Sequence, residues 1–185
     1  MNDLILLAAL LDGPKHGWVL KKLGGLVTGH GDMHNNLVYP LMKKFAAQGW
    51  VRRRAEPGHR GQTRAVYSLT LVGNKELFRR LNQFGEKEAA SANEFRLRVG
   101  LFGALTPDAR KRILAERTAW LAARKERFET LRQSLMVMES APWGLEVVNF
   151  LTAETQLEQK WIAALERKSA QQTSPSSNPK KSLRR

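Results

Sequence analysis

Along the chain, runs of apolar residues at helical spacing alternate with short breaks rich in glycine, proline and asparagine. The first run, Leu4 to Leu11, follows two capping residues, Asn2 and Asp3, and ends at Asp12-Gly13-Pro14, which predicts a first helix. A second helix is predicted from about Lys15, with Trp18, Val19 and Leu23 apolar and Gly24-Gly25 as its stop. Residues 27–35, VTGHGDMHN, have the composition of a loop. NNLVYPLMKKFAAQG then predicts a third helix: Asn35 or Asn36 caps it, Leu37, Val38, Leu41, Met42 and Phe45 face inward, and Gly49 ends it. Pro40 falls about a turn inside that helix and costs it a hydrogen bond.

At residue 51 the period changes. VRRRAEPGHRGQTRAVYSLT has strand-like ends (Val51; Ala65, Val66, Tyr67 and Leu69) around turn residues Pro57, Gly58 and Gly61, which predicts a β-hairpin with a longer loop. An isolated hairpin is marginal in water, so this one needs support from neighbouring helices. Thr70 caps a fourth helix through Leu77, Phe78 and Leu81, and apolar residues resume from Phe95 to Phe102 after Gly85.

Thr106, Pro107 and Asp108 mark the start of a long helix running to about Glu139. In it Leu114, Leu121, Phe128 and Leu135 recur every seven residues, with Leu131 and Met138 at the second heptad position. Arg117 and Arg124 hold that second position in the earlier heptads, so the seam is imperfect there. SAPWG breaks the pattern. A last helix is predicted from about Leu145 to Lys168, with Val148, Leu151, Trp161, Ile162 and Leu165 along an apolar side. A heptad stripe needs a facing partner, either this last helix or a second copy of the chain. QQTSPSSNPKKSLRR, at the end, has the composition of a disordered basic tail.

The fold class expected is therefore mainly α: a winged helix-turn-helix over residues 1–85, a helical dimerisation domain over 86–169, and the tail over 170–185.

Charge sharpens this picture. The formal net charge is +14, and residues 1–85 contribute +8 of it (13 Lys+Arg against 5 Asp+Glu). Residues 86–169 contribute +2 and the tail +4. The signal for a polyanion thus sits in the winged-helix part. Zero cysteines exclude disulfides and Cys-ligated metal sites. The four histidines lack metal-site spacing, and no nucleophile elbow, phosphate-binding loop or pair of catalytic acids stands out. No enzyme, metal or cofactor is expected. The apolar start has Asp3 where a signal peptide needs basic residues, and no run is long enough to span a bilayer, so a cytoplasmic protein without a membrane partner is expected.

LLDGPKHGWVLKKL, LVYPLMKKFAAQGWV, RGQTRAVYSLTLVG and NEFRLRVGLFGALTPDARKRIL, in this order and spacing, resemble the PadR family of transcriptional regulators, in its longer form with a virulence-activator type of helical domain. The resemblance spans residues 3 to about 168. It implies a homodimeric repressor or activator, repression being the expected sense, joined through the C-terminal helices. It places Tyr39, of the Leu-Tyr-Pro motif, in the recognition helix. Some members bind phenolic or other aromatic small molecules, so a small aromatic effector is a further implication. Residues 33–36, MHNN, replace the usual small residues before Tyr-Pro, and Ala46 and Ala47 replace acids; these departures bear on which DNA sequence is read.

In a major-groove helix, side chains near the N-terminus offer donors and acceptors to base edges. Here those are His34, Asn35 and Asn36. An Asn amide can bond both N6 and N7 of adenine, which favours Asn36, and helix capping is the competing role of each Asn. Lys43 and Lys44 suit phosphates or a solvated face. In the hairpin, Arg60 at the tip and Arg64 are placed ahead of Arg52, Arg53 and Arg54, because strand alternation points the triplet to both faces and leaves some of it for Glu56 or for packing. For dimerisation the heptad and apolar-side residues are the candidates: Leu114, Leu121, Phe128, Leu131, Leu135, Val148, Leu151, Trp161 and Leu165. The partners expected are double-stranded DNA with a near-palindromic operator and a second copy of the chain. The competing functions are a protein-interaction scaffold and an architectural, nucleoid-like DNA binder.

Overall fold

The structure, a computed structural model, describes residues 1–28, 31–57, 63–138 and 142–173. The chain divides into two compact units, Met1–Gly103 and Ala104–Arg185.

The first unit contains α1 (Asn2–Ala8), β1 (Lys15–His16), α2 (Gly17–Thr28), α3 (Asn35–Ala47), β2 (Val51–Pro57), β3 (Thr63–Leu69), α4 (Leu71–Asn82), α5 (Glu86–Ala89) and α6 (Ala92–Gly100). This is the expected winged helix-turn-helix, with two changes. Lys15 and His16 are not helical; they form a third strand, pairing antiparallel with Tyr67 and Val66, so the sheet order is β1-β3-β2. Nor does α2 stop at Gly24-Gly25. It continues to Thr28, and the two glycines lie where the next segment presses closest: a Cβ on Gly24 would meet the Met33 sulfur, and one on Gly25 the Gly31 carbonyl. Those glycines are spacers in a helix, not its end.

The core follows the apolar spacing. Leu6 and Leu7 of α1, Leu20 of α2, Val38, Met42 and Phe45 of α3, and Leu77 and Leu81 of α4 are fully buried. The Phe45 ring packs against Trp50 at 5.5 Å between centroids, and the Arg80 guanidinium lies 4.7 Å from the Trp50 ring. Arg80 also reaches Asp3 of α1 and Glu76 of its own helix. Hydrogen bonds from Arg79 first, then Arg80, hold the Glu76 carboxyl at about 2, against an ordinary 4.5. As expected, Gly49 ends α3, at φ 70°, and Thr70 caps α4, its Oγ1 accepting from the Gly73 amide at 3.0 Å.

α6 extends this unit past residue 85, where the composition suggests a boundary. Its Phe95 is fully buried, and its buried Arg98 donates to the carbonyls of Arg80, Leu81 and Gln83 at 3.1–3.3 Å. Arg98 thereby binds carbonyls at the C-terminal end of α4, where helical partners run out; that of Arg80 also accepts from the Gln83 amide at 3.2 Å.

The second unit is built on α7 (Pro107–Met136) and α8 (Pro142–Thr173). Thr106 caps α7, accepting from the Ala109 amide at 3.3 Å, with Pro107 opening the helix. α8 extends to Thr173, beyond the expected start of the tail at 170; residues 174–185 lie outside the described residues.

The imperfect heptads of α7 have a physical explanation. Arg117, fully buried, donates from Nε and Nη2 to the two carboxylate oxygens of Glu158 at 3.0 and 2.7 Å. Seven residues on, Arg124 reaches Glu154 at 3.2 Å. The pairs run in opposite senses along the two helices, which fixes α7 and α8 as antiparallel partners within one chain. Trp120 lies between these rungs, with the Arg117 and Arg124 guanidinium carbons 4.6 and 5.5 Å from its ring.

Candidate nucleic-acid interface

The helix-turn-helix sets α3 with Val38, Met42 and Phe45 inward, so the remaining faces of the helix are open. Asn36, Tyr39 and Lys43, spaced three and four apart, fall on one exposed stripe. The N-cap is His34, in extended conformation and making no side-chain cap bond. Neither asparagine is the cap; Asn35 and Asn36 are the first two helical residues, both exposed, so capping does not compete for their amides. Pro40 lies inside α3 as expected and cannot bond the Asn36 carbonyl one turn back.

The two lysines differ. Lys44 turns toward α1, with Nζ 3.9 Å from Asp3, while Lys43 is exposed on the stripe. A polar hollow of about 440 Å³ beside the start of α3 is lined by Lys21, Asp32, Met33, His34, Asn35 and Asn36.

The wing comes from β2 and β3, whose register pairs Arg53 with Tyr67, Arg54 with Val66 and Glu56 with Arg64. Alternation holds: Arg52 and Arg54 share one face and Arg53 takes the other. All three are nevertheless exposed, because beyond Val51 both faces of this edge strand are open. A ribbon solvated on both sides gives every arginine access to solvent, so alternation does not reserve any of the triplet for packing. Arg64 is exposed as well, and Arg60 lies outside the described residues.

Helix and wing meet in a cleft of about 590 Å³ lined by His16, Gly17, Trp18, Tyr39, Arg53, Thr63, Arg64, Ala65 and Tyr67. Trp18 is 57% exposed there. His16 Nδ1 is buried and has no hydrogen-bond partner among the described residues. Gly17 explains how the His-Gly and Tyr-Pro motifs act together: a Cβ at this position would stand 2.8 Å from Tyr39 Cε1 and 3.3 Å from its hydroxyl. The missing side chain lets the Tyr39 ring lie against the first turn of α2. Gly17→Ala is therefore expected to displace Tyr39 and weaken DNA binding by about tenfold, roughly 1.4 kcal/mol, at nearly unchanged Tm. Fluorescence anisotropy and thermal melts check this; unchanged affinity would show that the Tyr39 position does not matter.

The residues expected to mediate dimerisation separate into two groups. Leu114, Leu121 and Val148 are buried, and Phe128, Leu135, Leu151 and Leu165 half-buried, in a unit whose helices pair within the chain. Leu131 and Trp161 are 45% and 38% exposed. None of the described helices is long and apolar enough to cross a membrane.

Comparison with known proteins bears on the first unit most directly. Residues 6–79 match the family model described as the transcriptional regulator PadR-like family, a family of regulators and not of enzymes. Comparison with curated proteins gave no match. Among solved structures, a putative transcriptional regulator from Thermoplasma acidophilum is 29% identical over 42% of this chain and 74% of its own, with a TM-score of 0.39. Bacillus subtilis PadR in complex with operator DNA is 17% identical over 90% of this chain and 98% of that one, with a TM-score of 0.44. The same protein in complex with p-coumaric acid is 15% identical over 91% and 94%, with a TM-score of 0.40.

Proposed function

We propose that this chain, a PadR-like transcriptional regulator by the match over residues 6–79, works as a cytoplasmic homodimer that binds a near-palindromic operator and represses transcription from it. The observation that carries the DNA reading is the cleft where the exposed stripe of α3 meets the wing: Tyr39, Arg53 and Arg64 line one concave surface. Asn36 lies one turn before Tyr39 on the same stripe, in position to reach a base edge once α3 is in the major groove. Lys43, Arg53 and Arg64 are suited to phosphates, contacts that position the protein without reading sequence; Arg60, expected to join them, lies outside the described residues. Two copies would set their α3 helices about 34–36 Å apart, one turn of the duplex.

A cleft in the first unit supports the reading that a small aromatic effector binds this chain. A cleft of about 580 Å³ is lined by Ile5, Ala8, Ala9, Leu23, Leu26, Leu97 and Leu101 together with Asp12, Lys15, Asn93, Arg96 and Gly100. Its size suits a small ligand, and its apolar walls with a few polar groups suit an aromatic acid.

Titration of labelled genomic fragments at physiological salt against a random competitor duplex tests the function. Specific binding that survives the competitor supports a regulator. Loss of binding would point to an architectural protein, and no binding to a scaffold. Asn36→Ala is expected to relax the preference at one or two base pairs, by about 1–3 kcal/mol each. Selection from a random library that returns the same motif for wild type and variant would remove Asn36 from base reading.

A further inference from the structure

We infer that the main-chain carbonyl of Asn36, released by Pro40, is a second reader of base sequence on α3, accepting from the exocyclic amine of an adenine or a cytosine. The inference deepens the proposal that α3 enters the major groove and rests on it. Inside an α-helix each carbonyl is normally occupied by the amide four residues on. Pro40 has no amide, so the Asn36 carbonyl lacks its helical donor while α3 continues past it to Ala47. Where that carbonyl opens decides its use. At about 100° per residue, Pro40 stands roughly 40° round the helix from Asn36, with Tyr39 and Lys43 roughly 60° and 20° to the other side. All four residues are exposed. Val38, Met42 and Phe45, which are buried, lie across the helix, about 180–240° from Asn36. The unoccupied acceptor therefore shares the exposed stripe with the Asn36 amide and faces away from the core.

Its chemistry differs from that of the side chains around it. The side chains of Asn36, Tyr39 and Lys43 can all donate, whereas a carbonyl only accepts. In the free protein water satisfies it. In a groove closed over it, the carbonyl must meet a donor or forfeit a hydrogen bond. The donors on the major-groove edge are the N6 amine of adenine and the N4 amine of cytosine. Guanine and thymine present acceptors there, O6 and N7 or O4. On the strand it faces, the carbonyl thus selects by penalty as well as by attraction, turning away guanine and thymine. An Asn amide, which both donates and accepts, cannot impose that rule alone.

The test begins with an operator selected from a random library by the full-length protein. Failure to select one would overturn the DNA reading and this inference with it. In the selected operator each adenine is replaced in turn by purine, and each cytosine by pyrimidin-2-one, which removes the amine alone. Wild type is expected to lose about fivefold in affinity at one such position. Asn36→Ala should show the same loss there, because it keeps the carbonyl. Pro40→Ala supplies the missing amide, so it should be insensitive at that position without any fall in Tm. Comparing the proteins on one duplex cancels the change in base pairing. An amine sensitivity that vanishes in Asn36→Ala and persists in Pro40→Ala belongs to the side chain and would overturn the inference. So would the absence of any amine-sensitive position; in both cases specific binding, and the DNA reading, would stand. Uracil in place of thymine isolates the proline ring. If Pro40→Ala changes only the response to the thymine methyl, Pro40 packs on that methyl and the carbonyl reads nothing.

Discussion

Arg117→Leu is expected to destabilise the helical unit by about 3–5 kcal/mol. The substitution removes both hydrogen bonds to Glu158 and leaves that carboxylate, 8% exposed, without the charge that accompanies it in the interior. Glu158→Leu should cost about as much for the converse reason, because Arg117 is fully buried. The double variant Arg117→Leu/Glu158→Leu should recover most or all of the loss, since an apolar pair of suitable volume replaces a buried ion pair at little cost. Urea unfolding of the four proteins forms a double-mutant cycle that isolates the interaction. Single variants as stable as wild type would mean that Glu158 finds another partner or reaches water. The pair also carries information, because it allows only one alignment of α7 on α8. The double variant, though stable, is expected to tolerate a shifted register, visible as loss of sharp near-ultraviolet dichroism from Trp120.

Gly73→Ala should be severely damaging to the winged-helix unit, costing about 3 kcal/mol or more. The added Cβ would stand 1.9 Å from the Trp50 carbonyl oxygen, and 2.7 and 2.9 Å from the carbon and Cα behind it. Those atoms are backbone and are held in place. The Thr70 amide donates to the Trp50 carbonyl at 3.0 Å, and the Thr70 hydroxyl donates to the Gly49 carbonyl at 2.6 Å. The Thr-x-x-Gly motif is thus one device: Thr70 caps α4 while gripping the turn between α3 and β2, and Gly73 leaves room for that turn. For a unit of this size the expected loss corresponds to a fall in Tm of more than about 10 °C. DNA affinity should fall with it, because β2 carries Arg53. Gly100→Ala is the control, since nothing lies within 4 Å of its added Cβ. Equal melting of the two variants would show that the turn yields.

Long-period features of this fold were legible in the sequence, whereas features that depend on two distant segments meeting were not. The helix order, the caps at Thr70 and Thr106 and the hairpin all follow from local spacing. β1 could not be found this way, because two residues display no alternation; only their pairing with Tyr67 and Val66 makes Lys15 and His16 a strand. Gly24-Gly25 looked like a helix stop because a double glycine usually is one, but here tertiary approach requires the missing side chains. Arg117 and Arg124 looked like flaws in a heptad. The signal that explains them was present as Glu154 and Glu158, four residues apart on the last helix, but it has meaning only once that helix folds back on α7. At the candidate interface, residue types pointed to α3 and the wing, while the place of Trp18 and Arg53 in one cleft with Tyr39 depends on segments that meet only in the fold.

The buried Arg98 has a consequence for how far this protein can be shortened. Fragments that end at residue 85 look natural from composition, yet they lack the guanidinium that donates to the carbonyls of residues 80, 81 and 83. They also lack Phe95, whose ring lies 6.4 Å from that of Phe84. Such a fragment would keep every residue of the candidate interface and lose the fastening at the end of α4. The compact unit that carries α3 and the wing ends at Gly103, and a fragment meant to keep it folded should extend that far.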